Sequence, residues 1–254
     1  MLTAETRRGS LTRIEVTAAA GRARVDTAVT AATGAPALRP MLLSSDPTSA
    51  RLCLVPDGAV LLAGDALALE VSVGPGVRLT LVEPTGTVAY NMNGTAASWT
   101  ADLTLRDGAT LVWAGEPFVV AAGALVRRST RVTLGEGARL ALREAIVLGR
   151  HGERPGRGVV EWAAYDAGGR PLLVETLDLD DRARLPGILG GASGASRVLG
   201  SVTGLGIDVP ADEAPLGRLD LDRGGVLWRQ LAGDTHRLCG APWSAVLDAL
   251  TPRP

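Results

Sequence analysis

Three stretches of this chain are written to one pattern. Residues 71–81 read VSVGPGVRLTL, 103–113 read LTLRDGATLVW and 132–142 read VTLGEGARLAL. Each runs apolar-x-apolar, two turn residues, a glycine, Val or Ala, then x-apolar-x-apolar. The glycines fall at Gly76, Gly108 and Gly137, so the pattern advances by 32 and then 29 residues. Period-two alternation on both sides of a turn marks a strand–turn–strand unit. Glycine supplies the positive φ that such a turn needs without a Cβ clash. A unit of this size cannot bury its apolar face alone and must stack on its neighbours. The predicted fold class is therefore all-β, as stacked or superhelical β layers. Two packed sheets carrying the same units are the alternative. A looser fourth copy is predicted at LCLVPDGAVLL, residues 52–62, around Gly58.

A length of 254 residues suits one β-rich domain. The apolar fraction is 46% but aromatics are only 3%, so Leu, Val and Ala must build the core. The regular repeats occupy about residues 50–180, and 181–254 are irregular and partly helical. Residues 159–166 and 171–179 read as strands around the turn 167–170. Residues 182–200 read as a short helix or a loop, 204–217 as a connection and 226–231 as a final strand. Apolar spacing over 235–250 suits a helix broken near Gly240-Ala241-Pro242. With no linker in view, the organisation predicted is a single domain over 1–254.

All 26 basic residues are arginine, and the net charge is −1 with no basic stripe, which argues against a nucleic-acid partner. The longest apolar run, Phe118 to Val126, has nine residues; about 20 are needed to span a bilayer. No apolar leader segment is seen at the start, and two cysteines, Cys53 and Cys239, fit reduced thiols. A cytoplasmic protein with no membrane partner is predicted.

Catalytic machinery is sparse. Only His151 and His236 could act as a histidine base, and neither a G-x-S-x-G elbow nor a P-loop is present. Cys53, in an alternating strand, reads as a small buried hydrophobe. His236 and Cys239 are spaced i, i+3 and would share a helix face. A metal site wants three or four ligands, and no others are near in sequence. Three carboxylates sit in apolar strands: Asp65 at a strand start, Glu144 in the strand running into Val147, and Glu175 after Leu172-Leu173-Val174. Such groups are costly to bury unless paired or hydrated. They are either partners of arginines or the lining of a wet acidic path, where oxygen ligands would hold a divalent ion weakly. The cluster at 150–157 holds Arg150, Arg154, Arg157 and Glu153 and reads as an interface loop or an internal salt bridge.

Several stretches resemble the UreD (UreH) family of urease accessory proteins: LLAGDALALEVSVGPGVRLTL (61–81), EPTGTVAY (83–90), GATLVWAGEPFVVAAGA (108–124), REAIVLGRHGE (143–153) and PLLVETLDL (171–179). The G-D-x-L strand opening and the E-x-x-x-L-G-R-x-G-E segment are the most specific. The resemblance covers roughly residues 35–180. Many members carry a lysine or similar group near the position of Tyr90, where this chain reads Gly86-Thr87-Val88-Ala89-Tyr90. The resemblance implies a superhelical β stack with a few helices. It also implies a non-enzymatic chaperone that joins UreF and the GTPase UreG on the urease apoprotein. That complex delivers nickel to the urease site, where a lysine becomes carbamylated. Nickel would be in transit through a water-filled tunnel, with no tightly bound cofactor. Asp65, Glu144 and Glu175 are the candidate nickel path, and Thr87, Tyr90, Arg150 and Glu153 the candidate tunnel or interface residues. Alanine at any of the three carboxylates is predicted to reduce urease activation without unfolding the chain. An adaptor with no metal path is the alternative. A carbohydrate-active β-solenoid enzyme fits poorly, because a chain without lysine and with few aromatics lacks sugar platforms. A scaffold lacking its partners is also expected to expose apolar surface.

Overall fold

The computed structural model describes residues 8–58, 60–179, 196–213, 216–238 and 240–251. Its strands are β1 (Arg8–Thr17), β2 (Arg24–Ala31), β3 (Ala37–Asp46), β4 (Ser49–Asp57), β5 (Asp65–Val73), β6 (Arg78–Val82), β7 (Thr87–Ala89), β8 (Ala97–Leu105) and β9 (Thr110–Ala114). They continue as β10 (Phe118–Val120), β11 (Leu125–Leu134), β12 (Arg139–Leu148), β13 (Arg157–Asp166), β14 (Pro171–Asp178), β15 (Val198–Leu205), β16 (Arg218–Asp220) and β17 (Val226–Ala232). One α-helix, α1 (Gly240–Ala249), follows a single 3-10 turn at Thr235–Arg237.

The strands form two sheets. One has seven strands in the order β14-β13-β11-β8-β5-β1-β2. The other has ten, with a main path β16-β17-β15-β12-β9-β6-β4-β3 and a side stack in which β7 pairs β10 and β10 pairs β12. The middle of each sheet is parallel: β1, β5, β8, β11 and β13 in one, β4, β6, β9 and β12 in the other. Antiparallel strands finish both ends. The chain thus winds from one sheet to the other and back, once per repeat.

The glycine spacing is the register of the coils. Ala66 faces Ser98, Ser98 faces Arg127 and Arg127 faces Val159, advances of 32, 29 and 32 residues. In the opposite sheet Ser49, Arg78, Thr110 and Arg139 stack with advances of 29, 32 and 29. At each corner the turn closes from the residue after the glycine to the carbonyl three back, as in Ala109 N to Arg106 O at 2.9 Å. Gly76, Gly108 and Gly137 take φ of 65°, 66° and 64°. The corners also bond to one another, Gly76 N to Asp107 O at 2.9 Å and Gly108 N to Glu136 O at 2.8 Å.

Each strand–turn–strand unit is therefore a corner between sheets and not a hairpin, because β5 and β6 belong to different sheets. The fourth copy predicted at Gly58 is not a corner. The register places the equivalent of Gly76 at Pro47, and residues 52–57 lie within β4.

Alternating side chains fill the space between the sheets. Ile14, Val71, Leu103, Val132 and Ala164 make one such row, all buried. Burying each Leu or Val side chain contributes about 1.5–3 kcal/mol. A second core lies outside the ten-stranded sheet, where Ala245, Val246 and Leu250 of the C-terminal segment cover Val112, Ala141 and Val202.

Four further expectations change. β15 takes the end of the predicted helix or loop (182–200) and the start of the predicted connection (204–217), but it is an almost fully buried strand between β12 and β17. Its Gly204 leaves room for Val246, so a small residue there reflects packing. The helix starts at Gly240 instead of breaking there, since proline is tolerated in a first turn. Cys53 is only partly buried, on the outward side of β4 opposite Met41. The predicted helix or loop at 182–200 lies outside the described residues up to 195, and its last three residues open β15. Met41, Leu42 and Leu43 on the edge strand β3 are exposed apolar side chains, as are Val174 and Leu216.

Candidate functional site

In β11 the side chains alternate, with Arg127 exposed and Arg128 buried. Arg128 therefore stands in an inward row with Leu67, Trp99 and Val160. It is 7% exposed. Its guanidinium lies 4.8 Å from the Trp99 ring centre and 4.9 Å from that of Phe118. Nη2 donates to Glu144 Oε1 at 2.8 Å, and Nε has no hydrogen-bond partner among the described residues.

The opposite sheet supplies the carboxylates. Leu81, Trp113 and Leu142 form an inward row across β6, β9 and β12. Two residues further along each coil stand Glu83, Gly115 and Glu144. Glu83 and Glu144 thus hold the same place in the repeat, two coils apart. Gly115 fits between them because its backbone lies against the next coil: its amide donates to Arg143 O at 3.0 Å, and a Cβ would meet that oxygen at 2.8 Å. Glu83 accepts from Trp113 Nε1 at 2.7 Å and from the Glu116 amide at 3.1 Å. Burial raises the Glu83 pKa above 4.5, against the Glu116 amide, the Arg128 charge and the Trp113 hydrogen bond, which lower it. Glu116 lies 3.7 Å from Arg143, whose guanidinium stands 5.7 Å from the Trp243 ring of α1.

Together Glu83, Glu116, Arg128, Thr85 and Thr87 border a cavity of about 20 Å³ walled by Trp99 and Phe118. That is room for about one water. A pair of carboxylates and a guanidinium at the junction between the β9 and β10 stacks make this a polar chamber in an apolar interior.

A family model described as UreD urease accessory protein matches residues 10–243. The chain belongs to the UreD family of urease accessory proteins. It is 49% identical over 196 residues to urease accessory protein UreD 1 of Streptomyces griseus, covering 76% of this chain and 73% of that protein. It is 39% identical over 210 residues to the UreD of Frankia alni, 73% of this chain and 69% of that one. The UreD of Frankia casuarinae is 35% identical over 234 residues, 84% of this chain and 73% of its own length.

The carboxylates singled out from the UreD motifs are not brought together. Among the described residues, no group of three His, Cys, Asp or Glu side chains could hold a metal ion. Each of the three is paired to an arginine. Asp65 is 1% exposed, accepts from the Leu62 amide at 2.6 Å and lies 2.9 Å from Arg8 Nη2. It closes the turn that opens β5, which explains the G-D-x-L signature locally. Glu175, on the edge strand β14, pairs with Arg229 of β17 and so ties one sheet to the other. Of the three, Glu144 alone pairs with a residue that borders the chamber, Arg128, and Thr87 of β7 borders it directly.

The cluster at 150–153 is a stapled turn. Glu153 accepts from the Arg150 amide at 3.1 Å, from the Ala122 amide at 3.3 Å and from Arg150 Nε at 2.8 Å. The Arg150 bond, first among these, holds its pKa down to about 2. Arg197 donates to the carbonyls of Gly149 and Arg150 from the other side. Tyr90 is half-buried and lies near Arg150. His236 lies in the 3-10 turn, where Asp234 caps its amide at 3.1 Å, and Cys239 lies outside the described residues.

Sequence reasoning missed Glu83, Glu116 and Arg128. Two signals were present. An Arg127-Arg128 pair in an alternating strand must send one arginine inward. And the 32 and 29 residue advances, extended past the glycine corners, carry Glu83 onto Glu144.

Proposed function

We propose that this chain is a non-enzymatic scaffold of urease maturation. In the cytoplasm it joins UreF and the GTPase UreG on the urease apoprotein, and it passes nickel, its cargo, toward the urease site. Membership of the UreD family supports the accessory role. The interior chamber carries the cargo reading: Glu83 and Glu116 border it as oxygen ligands, and Glu144 pairs with its Arg128, beside the apolar row of Leu81, Trp113 and Leu142. Carboxylates bind a first-row divalent ion weakly enough for transit. No described helix is long and apolar enough to cross a membrane.

The test is urease activity in cells that carry the urease subunits and the other accessory proteins, with and without this chain. Nickel content of the purified urease is read in the same samples. Both should fall sharply without the chain; full activity and full nickel loading in its absence would overturn the reading.

The second reading is an adaptor without a metal path. The arginine pairing of Asp65, Glu144 and Glu175 favours it, because each pair has a structural role of its own. An adaptor would keep its partners and its urease activation when Glu83 and Glu116 are both changed to glutamine. A carrier would keep its partners and lose activation.

A further inference from the structure

The outward faces of the two sheets differ. On the seven-stranded sheet one outward row reads Arg13, Glu70, Asp102, Arg131, as a face in water should. On the ten-stranded sheet an outward row reads Met41, Cys53, Val82, Ala114 across β3, β4, β6 and β9. It continues through Arg143 of β12 to Val202 and Trp228. The far end of that row is the second core, covered by α1, which rests on β12 and β15. The near end has no cover among the described residues. Met41 is 55% exposed, and Cys53, Val55 and Val82 are half-buried. Trp243 of α1 stands at the border between the two, its ring 5.7 Å from the Arg143 guanidinium.

The uncovered part has the width of one helix. Neighbouring strands lie about 4.8 Å apart, so a helix over β6 would run two strands, about 9.6 Å, from the line of β12. Helices pack at about 8–10 Å from one another, so such a helix would lie beside α1 and touch the half-buried Trp243. A bulge at Leu43 breaks the register of β3, which disfavours an added strand at that edge and leaves the face as the surface on offer. Charge marks one end of it. Arg51 and Arg78 are exposed and Arg139 is half-buried, all three outward, and none has an ion pair or hydrogen bond among the described residues. At the other end Asp57 is taken by Arg39, at 2.6 Å.

We infer that the outward face of β3, β4 and β6 docks an amphipathic helix of a partner protein. Its apolar stripe lies on Met41, Cys53 and Val82, and carboxylates in its end turn meet Arg51, Arg78 and Arg139. The stripe extends the apolar row already buried under α1, and the acidic turn supplies the counter-charges that this chain lacks there. A helix C-terminus at that end also presents the favourable sign of the macrodipole to the arginines. The inference rests on the reading of the chain as a scaffold. It holds for carrier and adaptor alike, because the face lies outside the chamber.

The experiment is maleimide labelling of Cys53, whose thiol sits in the middle of the stripe. Mass spectrometry of the peptides counts it apart from Cys239. The full chain is labelled alone and in the assembly it forms with UreF, UreG and the urease apoprotein. Labelling of Cys53 should be at least tenfold slower in the assembly. Val82→Arg should weaken the assembly at least tenfold, as should Arg51→Glu together with Arg78→Glu, while Ser72→Arg on the outward face of the other sheet should leave it unchanged. If Val82→Arg does not fold, the exposed arginine pair decides by itself. An assembly that forms with Cys53 still freely labelled overturns the inference and leaves the scaffold reading standing, as does one that forms unweakened with the face variants. Protection that grows with the concentration of the chain alone also overturns it, since a second copy would then cover the face. A chain that forms no assembly refutes the scaffold reading and takes the inference with it.

Discussion

Glu144 cannot be tested as a path residue by simple removal, because it is one half of a buried pair. Its side chain is 12% exposed and that of Arg128 is 9% exposed, at 2.8 Å. Replacing Glu144 with leucine leaves the interior guanidinium without its hydrogen-bonded counter-charge. Breaking such a pair costs about 3–5 kcal/mol. A domain of this kind has about 5–15 kcal/mol in total, so the loss is a large share. Arg128→Met alone should cost a similar amount by stranding Glu144, less about 0.3–1.5 kcal/mol regained from sulfur contacts with the two rings. The double variant should behave differently. Apolar replacement of a whole buried pair is often neutral or stabilising by about 1–4 kcal/mol. The double is therefore expected within about 1 kcal/mol of wild type or above it. Urea denaturation followed by tryptophan fluorescence measures this well, since Trp99 lies against Arg128 and 6.0 Å from Trp113. A loss below about 1 kcal/mol for Glu144→Leu would refute the reasoning, as would losses that simply add in the double. Alanine at Glu144 should on this ground cost stability as well as any path function. Loss of urease activation in that variant has meaning only beside the double.

The other predictions concern the periphery and the corners. Glu175→Gln should cost less than about 1 kcal/mol in the same urea experiment, because the Arg229 pair is about a third exposed and partly screened by solvent. Glu153 has a folded pKa of about 2, below its usual 4.5, so its stabilisation is present above pH 4.5 and is lost as the pH falls toward 2. Denaturation midpoints measured across that window should fall for the wild type and stay flatter for Glu153→Gln; equal slopes would refute the staple. Gly108→Ala should cost about 1–2 kcal/mol by thermal unfolding, because φ of 66° is held in place by the stacked corners above and below.

The corner repeat was open to reading from sequence alone. Alternation and a glycine at a recurring interval are local, and they dictate strands, corners and stacking whatever lies elsewhere. The strand pair 159–166 and 171–179 and the last strand at 226–231 were legible for the same reason. β15 was not, because its Gly and Ser residues look like a loop until β12, β17 and α1 close around them. Nor was Cys53's outward side, which depends on which face of β4 meets the core. At the candidate site the sequence determined only that carboxylates lie within apolar strands. Only the tertiary structure decided which of them share a space. Asp65 and Glu175 went to separate ion pairs at a turn and an edge, while Glu83 and Glu144 met through the register of coils and Arg128 came across from the other sheet. Coulombic and desolvation effects act over a few ångströms, and the distances that set them arise only when residues far apart in the chain are wound onto one axis.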